Sequence, residues 1–162
     1  MKSHMGQGPA QHVMLINKDA KKAADAVCTG GSFNGQALYQ VAPSGKEADA
    51  AYAVPKGHVL FITDVEWYAT LNSDKTGVRS IHLTIAVGGT TVFASRSVAF
   101  DFGKKGMPGS SEQLTSGLQV GANTSICPAV HQLGGDSGGS APDVDPISKF
   151  RVFLRGYLCN ID

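Results

Sequence analysis

The sequence predicts an all-β fold: two antiparallel sheets packed face to face as a sandwich, of jelly-roll or immunoglobulin-like connectivity, behind a flexible N-terminal arm. Three observations predict it. Apolar and polar residues alternate through 59–71 and again through 79–87, the period of a half-buried strand. Gly88-Gly89 sits between two such runs, where a two-residue hairpin needs positive φ. Turn residues separate seven or eight short apolar runs, with almost no helical periodicity between them.

Taken in order, Met1-Lys2-Ser3-His4-Met5 reads as a tag remnant, with native sequence from about Gly6. Residues 1–36 are expected to be that remnant and a mobile arm, carrying a short strand at Val13–Ile16 or a short helix over Asp19–Val27. Residues 37–162 are expected to form the sandwich. Ala37–Val41 reads as a first strand, closed by the turn Pro43-Ser44-Gly45.

The strongest run follows the Val54-Pro55-Lys56-Gly57 turn. It places Val59, Phe61, Val65, Trp67, Ala69 and Leu71 on one side, and Asp64, Glu66, Tyr68 and Thr70 on the other. Arg79–Val87 alternates in the same way, with Ile81, Leu83, Ile85 and Val87 inward and His82 and Thr84 outward. Thr91–Phe102 reads as its hairpin partner, although Arg96 falls among inward residues, which calls for a bulge or a paired arginine. Gln113–Val120 and Thr124–Val130 are two further strands. His131–Ser148 reads as a long exposed loop, and Phe150–Ile161 as the last strand.

At 162 residues and 42% hydrophobic content the chain has the size of one domain with one core. Its formal net charge of +1 gathers no polyanion, so nucleic acid is not an expected partner. No apolar run reaches the length of a membrane span, so membrane insertion is not expected either. The three cysteines fit no zinc spacing and allow a single disulfide. Cys127 and Cys159, both in expected strands near the C-terminus, are the preferred pair, with 28–127 and 28–159 open. A bridge implies an oxidising compartment.

The residues that could carry chemistry are few. Gly135-Asp136-Ser137-Gly138-Gly139 resembles the nucleophile loop of trypsin-like serine proteases. In that family, glycines expose a serine beside an oxyanion hole, and an earlier histidine and aspartate activate it. The other parts of that pattern are missing: no family-type histidine segment surrounds His58, His82 or His131, and too little chain follows Ser137 to complete a second barrel. Flexible-loop composition accounts for the run, and no catalytic residue is assigned.

His58, His82 and His131 show no two- or four-residue spacing with one another or with Asp64, Asp136, Asp143 or Asp145, so no metal site is expected. Gly103-Lys104-Lys105-Gly106 lacks the spacing of a phosphate-binding loop, and no cofactor is expected. Tyr68 lies on the polar side of its strand and is the one ring there expected to be exposed; it is the candidate ligand-binding residue. Trp67, on the apolar side, is expected in the core.

Between Tyr52 and Leu158 the succession of Val54-Pro55-Lys56-Gly57 before a long strand, Leu114-Thr115-Ser116-Gly117-Leu118 in the middle and Arg155-Gly156-Tyr157-Leu158 at the end resembles uncharacterised bacterial exported β-sandwich proteins. The resemblance implies export and a fold, with no activity attached. The resulting expectation is a non-enzymatic, monomeric binding module that is secreted, periplasmic or on the cell surface. Its partner would be a protein or a glycan, and its polar loops would be accessible to antibodies. A carbohydrate-binding module is the alternative, and it requires Tyr68 to share an exposed face with another ring.

Overall fold

The computed structural model describes residues 9–18, 35–71, 78–101, 103–104, 106–133 and 147–161. Among them are nine strands and no helix: β1 (Gln11–Asn17), β2 (Leu38–Gln40), β3 (His58–Leu71), β4 (Val78–Val87), β5 (Thr90–Ala94), β6 (Val98–Asp101), β7 (Gly109–Val120), β8 (Ile126–Leu133) and β9 (Ile147–Asn160). All pairings are antiparallel, and they make two sheets. One has five strands in the order β2-β1-β9-β3-β7. In the other, β4 is central, with β8 along one edge and β5 and β6 end to end along the other.

The sheets close on one core, as the sequence predicts. Val13, Leu15, Leu60, Ile62, Val65, Trp67, Val152 and Leu154 of the first sheet meet Ile81, Leu83, Ile85, Ile126 and Val130 of the second. Removing this much apolar surface from water is the main force holding the sheets together. Trp67 is 2% exposed, in the core where its side of the strand puts it.

Five expectations need correction. The strand expected at Val13–Ile16 is no appendage: β1 lies between β2 and β9, and its Val13 and Leu15 are core residues, so the sandwich begins at Gln11 and not at residue 37. The helix expected over 19–27 lies outside the described residues.

The alternation of 59–71 is broken by a bulge between Ile62 and Asp64. One extra residue moves every later side chain to the opposite face. Leu60 and Ile62 therefore point inward before it and Val65, Trp67 and Ala69 after it, and Phe61 stands outside. Gly156 lies opposite Ile62 at that bulge, and a Cβ there would fall 2.0 Å from the Phe61 carbonyl oxygen.

The run 91–102 is two strands. At the break, buried Ser95 takes the place of a ladder residue: its N–H donates to Leu83 O at 2.8 Å, and its Oγ accepts from Leu83 N–H at 2.9 Å. Arg96 is consequently exposed, and its backbone N–H donates to Glu112 Oε1 at 2.7 Å, which accounts for its place outside the pattern.

His131 does not open a loop; it lies within β8, and β9 begins at Ile147. The Gly88-Gly89 hairpin stands as expected, with φ of 58° and 85°.

The fifth correction is the disulfide. Cys127 is disulfide-bonded and Cys159 is a free thiol, so they are not partners. The register explains why. Cys127 lies opposite Ala86 on the outer face of the β4 sheet, whereas Cys159 lies opposite Val59 on the outer face of the other sheet, with the whole core between them. Cys28, outside the described residues, is the remaining cysteine. Consistent with it, Gln36 N–H donates to Pro128 O at 3.0 Å, and a Cβ on Gly35 would stand 3.0 Å from Cys127 Cβ, so the chain a few residues after Cys28 runs along β8.

Candidate functional site

An outward sheet face in water is ordinarily polar. The outer face of the five-stranded sheet carries aromatic rings among its charges. Because of the bulge in β3, its outward residues on β3 are Phe61, Asp64, Glu66 and Tyr68, and the β9 register sets Tyr157, Arg155, Phe153 and Arg151 opposite them in that order. On β1, His12 lies opposite Tyr157 and Met14 opposite Arg155.

Rings and charges therefore interleave over three adjacent strands. The Tyr68 and Phe153 rings are 6.2 Å apart and tilted by 34°, within the range of a favourable aromatic pair. The His12 and Tyr157 rings meet edge to face at 5.5 Å, and Tyr157 is 45% exposed.

Polar groups stand among the rings. Arg155 Nη2 lies 3.7 Å from Glu66 Oε2, with both side chains more than two-fifths exposed. An ion pair this open contributes about 0–1 kcal/mol to stability and leaves its polar atoms accessible to a ligand. Asp64 Oδ2 accepts from Thr63 Oγ1 at 2.7 Å, and Arg151 Nη1 donates to Asn17 O at 2.8 Å. The far end of the face is covered: Tyr39 and Ile16 are 8% exposed, and the Lys18 ammonium lies 4.1 Å above the Tyr39 ring while donating to Ala48 O.

Tyr68 is thus where the sequence places it, on the outer face, but half-buried and paired with Phe153, with Phe61 and Tyr157 farther along the same face. The sequence reading missed those partners. Arg151 and Arg155 share the alternate positions of Phe153 and Tyr157 in 150–158, a signal in the sequence that both rings stand outward.

On the opposite surface of the molecule, β4 and β8 set His82 directly across from His131. The ring centroids are 5.7 Å apart, and Thr84 Oγ1 forms a 2.8 Å hydrogen bond with His131 Nε2. His82 Nδ1 is buried with no hydrogen-bond partner, and burial holds the His82 pKa below the usual histidine value. His58 opens β3 and donates from Nδ1 to Lys56 O at 3.0 Å, a local turn contact. Ser137, Asp136, Asp143 and Asp145 lie outside the described residues. Among the described residues no group of three or more His, Cys, Asp or Glu side chains is placed to hold a metal, and no helix is long and apolar enough to cross a membrane.

Comparisons of the chain with protein-family models, curated proteins and solved structures found no match.

Proposed function

We propose that this chain is a non-enzymatic, exported β-sandwich binding module whose contact surface is the outer face of the five-stranded sheet, and whose ligand is a glycan. The observation that carries the reading is the Tyr68–Phe153 pair on an outward face, 6.2 Å apart and similarly tilted. Adjacent sugar rings present flat C–H surfaces to such rings, and their hydroxyls need donors and acceptors at the rim. Arg155, Glu66, Asp64 and Arg151 supply both kinds beside the rings. Export is supported by the disulfide at Cys127, since a structural disulfide persists in an oxidising compartment.

The test is a glycan array probed with the wild-type chain and with Phe153→Ala and Tyr68→Ala. The reading expects hits that weaken with both substitutions. No hits, or hits indifferent to both, would reject the glycan reading.

A further inference from the structure

We infer that the glycan bound by the outer face of the five-stranded sheet is an uncharged polysaccharide, and that Arg155 and Glu66 select it by gripping two adjacent hydroxyls of one sugar ring. The inference rests on the glycan reading above and names the chemistry of its ligand. Arg155 Nη2 and Glu66 Oε2 stand 3.7 Å apart, beyond hydrogen-bond length, and both side chains are more than two-fifths exposed. A guanidinium only donates and a carboxylate only accepts, whereas a hydroxyl does both. Of two neighbouring hydroxyls, one therefore accepts from Arg155 while the next donates to Glu66. The other charged groups at the centre of the face are already engaged, Arg151 with Asn17 O and Asp64 with Thr63 Oγ1.

Charge decides against an acidic sugar. Arg155 lies opposite Asp64 and diagonal to Glu66, so the centre of the face offers no run of positive groups. Carboxylates or sulfates repeated along a polymer would be set against Asp64 and Glu66, and like charges held together across an interface are strongly disfavoured. The formal net charge of +1 adds no field to draw in a polyanion. The β7 flank agrees: exposed Ser111, Gln113 and Gln119 lie opposite Glu66, Asp64 and Phe61, and they set uncharged donors and acceptors beside the rings. Exposed Lys149, opposite Thr70, stands beyond the last ring. From Arg151 to Tyr157 the strand runs about 20 Å, long enough for several sugar rings in line, so the occupant is a stretch of polymer.

The test is native affinity electrophoresis of the oxidised, full-length protein through gels containing one polysaccharide each. Galactomannan, xyloglucan and soluble starch are uncharged and carry adjacent free hydroxyls; a 1→3-linked glucan has uncharged rings without them; polygalacturonate and hyaluronate are acidic. The inference expects retardation by at least one of the first three, little changed by added salt, and none by the 1→3-linked glucan or the acidic polymers. Arg155→Gln and Glu66→Gln should each bind about ten-fold more weakly, the worth of a hydrogen bond to a charged group. The comparison among polymers uses the wild-type protein and does not depend on the variants folding. Retardation by acidic polymers alone, strengthened in Glu66→Gln, would overturn the inference and leave the glycan reading standing. Equal retardation by the 1→3-linked glucan, or binding indifferent to both substitutions, would overturn the role of Arg155 and Glu66. Retardation by none of the polymers would overturn the inference and the glycan reading together.

Discussion

The backbone N–H of Val152 donates to Asn17 Oδ1 at 2.8 Å, and Asn17 Nδ2 donates to Phe150 O at 2.8 Å as well as to Gln36 Oε1. At the end of β1 a side-chain amide therefore continues the ladder along β9 where the backbone itself does not, and Asn17 is fully buried in doing so. Replacing it with leucine leaves a buried donor and acceptor of β9 unpaired. At about 1–3 kcal/mol for each of the two unsatisfied groups, Asn17→Leu should lower stability by about 2–6 kcal/mol. Urea unfolding with unchanged slope measures it; a loss below 1 kcal/mol would mean that the amide is dispensable.

Gly156→Ala should cost about 3 kcal/mol or more, because the new methyl meets the Phe61 carbonyl oxygen and not a side chain that can turn aside. Gly121→Ala is the comparison: its nearest neighbour would be Thr124 Oγ1 at 3.9 Å. Thermal melts of the two variants should separate widely.

In denaturant without reductant the oxidised chain should present one reactive thiol, Cys159, and three after reduction. Peptide mapping should find Cys127 joined to Cys28. Closing a loop of about 100 residues stabilises a fold by about 4.7 kcal/mol in the chain-entropy account, so Cys127→Ser should unfold at clearly lower denaturant concentration. A mapped Cys127–Cys159 peptide would contradict the two-sheet arrangement itself.

Burial depresses the pKa of His82, which faces His131, so at mildly acidic pH the unfolded chain takes up a proton at this position more readily than the folded one. Stability from this position is present above the unfolded-state value of about 6.5 and is lost as pH falls through it toward the folded-state value. Unfolding midpoints should fall between pH 7.5 and 5.5 in the wild-type protein, and fall less in His82→Gln.

The fold class was legible because Val65, Trp67 and Ala69, and likewise Ile81, Leu83 and Ile85, alternate with polar neighbours. The face of Phe61 was not: residues 59–62 are apolar on both alternating positions, and the bulge that decides between them lies beside Gly156, distant in sequence. Tyr68 was legible for the reason Trp67 was, as its mirror across one strand. Its partner Phe153 and the His82–His131 pair depend on cross-strand register, which pairs residues from opposite ends of the domain and leaves no local mark. Ser95, which interrupts the β5–β6 edge, is an ordinary serine until its Oγ is seen to accept the Leu83 N–H.

The central claim is that the five-stranded sheet presents the contact surface. Backbone amide NMR shifts, recorded while the chain is titrated with an oligosaccharide that scores on the array, test it most directly. The account predicts perturbations concentrated on 12–14, 61–68 and 151–157, with β4 and β8 silent. Perturbations confined to the β4–β8 surface or to the loops would contradict it.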